Sequence, residues 1–410
     1  MADEVSAAFL RHWWPSLASP NFRLYIAGQT ISLIGTFMQM TAMSWLVYRL
    51  THSEFILGLV GFLAEMPGVV VALAAGVLVD RANPRKIVLA TQSFAMLQAF
   101  VLAALVFSNR IDIVAIILLA CALGFINGFD VPARQVLVAQ LLDDKVHLRN
   151  AIALVSLSLD GSRLIGAAMG GLAIAAFGEG TCFLINGASY AMVIVALLAI
   201  RLEPKRAFHP DPASARTLIE GLRYAFGARP IRSVVLLVAC VSFAASPYAV
   251  LLPVMAGSVL EGGPRTLGAL TAAAGLGAIV GAFFLGSRPQ TDSPARYITL
   301  GAGLFGLGLL SFSLSRMLVL SAACLAVAGF GVMILMASSH TILLSTADED
   351  KRGRVMSLFT LSFMATVPLG SLVTGALASR IGAAETISMG GALCILSALI
   401  FALRQGRLRD

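Results

Sequence analysis

The sequence predicts an all-α membrane protein, with twelve transmembrane helices in two six-helix, pseudo-symmetric bundles. Three observations predict it. First, 58% of the 410 residues are hydrophobic and only 12% are charged, at a mean hydropathy of +0.89. A soluble chain carries about twice that charged fraction, and a single core could not bury so much apolar side chain. Second, twelve long apolar runs follow one another, six on each side of a polar stretch. Third, the loop cations fall overwhelmingly on one side of the implied membrane.

Each run approaches the roughly 20 residues that cross a bilayer as helix. The first is 24–48. The second, 55–79, is interrupted only by Glu65. The third is 87–109, and the fourth, 113–129, extends past Asp130. The fifth, 150–178, contains Asp160 and Arg163, and the sixth is 180–200. After the polar stretch come 233–260, 266–287, 297–315, 317–347, 355–379 and 386–403. The expected organisation is therefore an N-terminal segment 1–22, a bundle 23–200, a linker 201–232, a second bundle 233–403 and a tail 404–410. Helix is the required conformation, because backbone in lipid must satisfy its own hydrogen bonds. A β-barrel would show short alternating segments instead.

With twelve spans, both termini and the even-numbered loops share a side. That side carries 23 of the 29 Lys and Arg residues, the opposite side five, and Arg163 lies within a span. The asymmetry predicts cytoplasmic termini and accounts for the net charge of +8 without a nucleic-acid partner. Asp3, Glu4, Arg11 and His12 interrupt the first 22 residues, so no cleavable signal peptide is expected. Trp13 and Trp14 beside Pro15 read as an interfacial anchor. Within the linker, Leu218, Leu222, Tyr224 and Phe226 among Arg216, Glu220, Arg223 and Arg229 suggest an amphipathic helix over 214–232, or an ordinary linker helix. The five cysteines sit singly in apolar runs, which points to packing rather than disulfides or metal.

The halves repeat. Asp144-Lys145-Val146-His147-Leu148-Arg149 opens the fifth span and Asp350-Lys351-Arg352-Gly353-Arg354 opens the eleventh, 206 residues later. Gly166 and Gly370 lie 204 residues apart. Parallel repeats around a central linker are the plan of one large class of secondary transporters, in which the halves rock about a midplane site.

The loop after the second span reads Gly76-Val77-Leu78-Val79-Asp80-Arg81-Ala82-Asn83-Pro84-Arg85-Lys86. It resembles the signature loop of the major facilitator superfamily. It departs from that pattern in lacking the second glycine and in placing Pro84 where a basic residue is common. Further stretches resemble the branch of bacterial efflux proteins that holds the enterobactin exporter. They include Phe129-Asp130-Val131-Pro132-Ala133-Arg134-Gln135, Phe183-Leu184-Ile185-Asn186-Gly187-Ala188, Leu251-Leu252-Pro253-Val254 and Arg352-Gly353-Arg354-Val355-Met356-Ser357. The resemblance implies the major facilitator fold, efflux, and residence in a bacterial inner membrane. It also implies a cytoplasmic latch in which Asp130 meets the basic residues of the Asp80 loop. The latch set is Gly76, Asp80, Arg81, Arg85, Asp130 and Arg134. An ordinary helix-end pair of Asp130 and Arg134, four residues apart, is the plainer alternative.

An ionisable group within a bilayer costs roughly 2.5–3.5 kcal/mol on insertion scales. Glu65, Asp160 and Arg163 are therefore proton-coupling candidates, with a static Asp160–Arg163 packing pair as the alternative. Gln29, Thr36, Gln39, Asn127, Asn186, Tyr190 and Tyr248 are candidates for lining a substrate cavity, or for interhelical hydrogen bonds. Met38, Met40, Met43 and Phe243 are candidates for an adaptable apolar wall, or for lipid-facing or core packing, and His340 for a titrating group, or for a satisfied interhelical histidine. Glycines crowd the fifth, eighth and eleventh spans, where small residues allow sliding interfaces. There is no nucleotide-binding glycine-lysine loop, no metal cluster and no catalytic set, so an enzyme is not expected.

The function expected is secondary active transport by alternating access: proton-coupled export of small amphipathic or siderophore-like molecules, with no cofactor and a proton gradient as energy source. Lipid or lysolipid transport, and a membrane-embedded sensor or scaffold, are the alternatives. The expected partners are membrane lipids and a small-molecule substrate, and the chain is expected to be a monomer.

Overall fold

In a computed structural model, residues 14–142, 144–200, 224, 227–288, 293–349 and 351–406 are described, without the side chains of 72–81, 145, 229, 405 and 406. Most of the expected linker helix lies outside the described residues. No strand occurs among those described. Among the described residues, six α-helices form the first half: α1 (Pro20–Thr51), α2 (Glu54–Arg81), α3 (Pro84–Phe107), α4 (Ile113–Gln140), α5 (Leu148–Phe177) and α6 (Glu179–Ala199). In the second half are α7 (Arg229–Ala244), α8 (Tyr248–Val254), α9 (Pro264–Gly286), α10 (Pro294–Leu314), α11 (Leu318–Thr346), α12 (Arg352–Met364), α13 (Thr366–Ile381) and α14 (Ala383–Gly406). Length and composition make twelve spans of these, with α7 and α8 in the seventh and α12 and α13 in the eleventh. The chain is a multi-pass membrane protein.

Local chemistry sets the helix ends. Asn83 caps α3 by accepting from Arg85 N at 3.0 Å, with Pro84 in the first turn, where its missing N–H costs nothing. Asp112 caps α4 through Ala115 N at 2.7 Å. The α5–α6 turn passes through Gly178 at φ 79°, and the α13–α14 turn through Gly382 at φ 98°. A side chain would be strained at either. These two glycines stand 204 residues apart, the spacing that also relates Gly166 to Gly370. The repeat therefore extends to the hairpin closing each half.

The seventh span is broken. α7 stops at Ala244, Ser246 and Pro247 form a turn, and α8 passes into a π-helical turn over Met255–Val259. Pro247 and Pro253 remove the amides that would continue the ladder. The eleventh breaks at Ala365 between α12 and α13, three residues before Pro368.

Packing divides the chain into two compact units, Met1–Ala42 with Pro67–Pro212, and Met43–Met66 with Ala213–Asp410. The hairpin of α1 and α2 thus groups with the second unit. There a Cβ at Gly58 would stand 2.8 Å from Gly375 Cα, and a Cβ at Gly257 would collide with Tyr48. The first unit buries Phe22, Tyr25, Val88, Leu137, Leu141, Val193 and Leu197. In the second, α9, α10 and α11 pack closely, with Gly277 against the Ala326 carbonyl and Gly329 against that of Ala274. The expected sliding glycines are used inside units: Gly166 and Gly170 seat α5 on α1, and Gly370 meets the Phe243 carbonyl on α7.

Candidate transport machinery

Two buried polar clusters stand inside the first unit. The first is built on α3 and α4. Asp130 is 1% exposed. Its Oδ1 accepts from Thr91 Oγ1 at 2.6 Å and Gln92 Nε2 at 2.9 Å. Its Oδ2 accepts from Arg134, one helical turn along α4. Thr91, Gln92 and Gln98 share the α3 stripe of Val88, Ala95 and Leu102, all facing inward. A carboxylate this deep needs a charged partner and further donors, and the cluster supplies both. Arg134 Nε and Gln92 Oε1 keep unused hydrogen-bonding capacity there.

The second cluster joins α1, α3 and α6. Asn186 Nδ2 donates to Gln39 Oε1 at 2.9 Å, and Gln39 Nε2 donates to Gln98 Oε1 at 3.2 Å. Gln98 Nε2 reaches the Leu119 carbonyl on α4 at 3.2 Å. Ser189 Oγ donates to the Asn186 carbonyl at 2.8 Å, while Thr36 Oγ1 and the Tyr190 hydroxyl approach to 3.4 Å. Of the seven candidate cavity residues, Gln39, Asn186 and Tyr190 are buried here and Thr36 half-buried. Gln29 is buried with Oε1 unpartnered. Asn127 is exposed, and Tyr248 is half-buried with its ring 6.1 Å from that of Phe305.

Asp160 is half-buried and Arg163 exposed in mid-α5. The Arg163 guanidinium lies 5.3 Å from the Phe37 ring centroid, a cation–π contact with α1. Glu65 is exposed on α2, two residues before Pro67, and groups with the second unit. Of the latch set, the side chains of Gly76, Asp80 and Arg81 lie outside the described residues. Arg85 does not turn to Asp130. Its Nε and Nη2 donate to the carbonyls of Leu197 and Leu198, at 2.8 and 3.2 Å, a cation on the C-terminal end of α6. His340 on α11 stacks edgewise on Phe359 at 6.0 Å.

Thr91, Gln92, Gln98 and Ser189 are uncharged and so lack the charge signal that marks Asp130, Asp160 and Arg163 within the spans. Another signal was present. Polar residues at 91, 92 and 98 recur on the helical stripe of the buried apolar ones.

Known proteins resemble the chain along almost its whole length. The staphyloferrin A transporter of Staphylococcus aureus is 24% identical over 394 residues, 94% of this chain and 97% of the relative. The enterobactin exporter of Escherichia coli is 25% identical over 385 residues, 93% and 91%. Among solved structures, the nucleoside transporter NupG aligns with a TM-score of 0.71 at 12% identity, covering 94% of this chain and 99% of that one. A bacterial homologue of the human lysosomal transporter Spinster gives 0.69 at 14%, covering 94% and 95%. These likenesses show the fold. Residues 12–409 match the family described as transmembrane secretion effector. The chain belongs to that family of the major facilitator superfamily, and is a secondary transporter rather than an enzyme.

Proposed function

We propose that the chain exports siderophore-like or other small amphipathic molecules, driven by proton entry. The observation that carries this reading is the full-length similarity to a staphyloferrin A transporter and an enterobactin exporter. The 23-to-5 division of loop cations supports cytoplasmic termini in a bacterial inner membrane. Protons are then loaded from outside onto carboxylates held within the spans.

Asp160 and Glu65 are those carboxylates. Each lies in the middle of a span, where its charge is costly and its protonation state shifts the conformational balance. Arg163 sits one turn from Asp160 and keeps its charge throughout. Neutralising Asp160 weakens its attraction to Arg163, and the guanidinium retains Phe37. In this reading no cofactor is needed, since the gradient supplies the free energy.

The test is uphill transport in proteoliposomes with an imposed pH gradient, using enterobactin and staphyloferrin A as probes. The Glu65→Gln, Asp160→Asn double variant should lose uphill movement while keeping downhill exchange. Continued uphill transport by that variant removes the coupling assignment. Absence of flux of both probes in the wild type removes the substrate assignment.

A further inference from the structure

In the second unit, α7 and α14 border an open groove of about 130 Å³. Leu236 and Leu237 line it from α7, and Ile400 and Phe401 from α14. Partway along, Cys240 Sγ and Ser397 Oγ meet at 3.3 Å, joining the two helices. At one end the first turns of α7 face the last turn of α14, which carries Arg404. Arg404 is exposed, and among the described residues no carboxylate pairs with it.

The groove opens on an exposed, apolar surface of the second unit. Leu396, Leu399 and Leu403 on α14 are 52%, 56% and 72% exposed, as expected of side chains solvated by acyl chains. A helix-dipole role accounts for an arginine in the last turn, but not for the groove leading to it. An apolar channel at acyl-chain depth with a fixed cation at the membrane boundary is complementary to one class of molecule: a phospholipid with a net negative headgroup. An arginine here holds a phosphate by paired hydrogen bonds while its stem lies along the chain.

We propose that this groove binds one anionic phospholipid, its acyl chain against Leu236 and Ile400 and its phosphate on Arg404. The site is separate from the transport machinery and stands whatever the substrate is.

The test uses the purified full chain in a neutral detergent. Thermal unfolding is followed as phosphatidylglycerol, phosphatidylcholine or glycerol phosphate is added. Phosphatidylglycerol should raise the midpoint most, and glycerol phosphate should not raise it, since the acyl chain is needed. Arg404→Gln should weaken the phosphatidylglycerol response roughly five-fold in concentration, one cation's worth at a membrane surface, while Arg404→Lys keeps most of it. Leu236→Trp, which fills the groove, should abolish the response with the lipid-free midpoint near that of wild type. An unchanged phosphatidylglycerol response in Arg404→Gln and Leu236→Trp overturns the proposal. So does an equal response to phosphatidylcholine, or one to glycerol phosphate. If Arg404→Gln does not fold, the Leu236→Trp response decides the question in the same two directions.

Discussion

Asp130 shows how the chain manages charge inside the bilayer. Three donors, Thr91, Gln92 and Arg134, surround a carboxylate that is almost fully enclosed. Removing one member of a buried pair leaves the other uncompensated, at a cost of roughly 3–5 kcal/mol. Asp130→Ala should therefore lower stability by about that amount, whereas Thr91→Val should cost about 1 kcal/mol. Reversible unfolding in mixed micelles measures both, and equal losses would contradict the assignment of Arg134 as the main partner. The Gln39–Asn186 cluster behaves differently, since its members are neutral and interhelical hydrogen bonds in membranes are worth about 0.6 kcal/mol each. Asn186→Ala should be mild. Gly35→Ala should be worse, because its new Cβ would collide with Ser189 Oγ and stand 2.8 Å from Asn186 Oδ1.

Between elements, small residues decide how closely helices approach. Gly277 on α9 and Gly329 on α11 each face a backbone carbonyl of the other helix. Carbonyls cannot move aside as side-chain tips do, so Gly277→Ala must push the helices apart. The expected loss is about 1–3 kcal/mol. Gly303→Ala on α10, where a Cβ meets nothing within 4 Å, should change stability by less than about 1 kcal/mol. The loop between α11 and α12 carries a second contact at this scale. Asp348 N donates to the Tyr224 hydroxyl at 3.3 Å, and Lys351 Nζ lies 4.6 Å from the Tyr224 ring centroid. The Tyr224 hydroxyl, and then Lys351, hold the Asp348 carboxyl below its ordinary pKa. A lowered folded pKa contributes stability that is present above the unfolded value and lost as pH falls through the folded one. Tyr224→Phe should move the Asp348 titration to higher pH, read by NMR of a carboxyl-labelled sample. An unmoved midpoint would show that the hydroxyl does not reach the carboxylate.

For the whole molecule, the cation asymmetry predicts topology. A green fluorescent protein fused after Asp410 should fluoresce and an alkaline phosphatase fused there should be silent, with the reverse for fusions in the loop at Arg110. Fluorescence at both positions would remove the orientation. The repeat is a property of the same scale. Gly178 and Gly382 close the two halves at the same spacing as Gly166 and Gly370, so a positive-φ glycine recurs along with the small-residue helix before it.

Span number, helical conformation and the duplication were legible in the chain because each depends on composition or spacing alone. Lipid forces helix, length sets the span, and loop cations mark a side. The signature-loop resemblance was legible for the same reason, as it is a local pattern. Which face each helix presents was not. An apolar helix has apolar residues all round, so periodicity leaves its rotation undetermined, and only packing shows that Gln39, Gln98 and Asn186 satisfy one another. Packing likewise decided that Arg85 caps α6, that the α1–α2 hairpin groups with the second unit, and that α7 and α14 leave a groove ending in Arg404. Those facts join residues far apart in the chain, and only the fold brings them within hydrogen-bond and van der Waals reach.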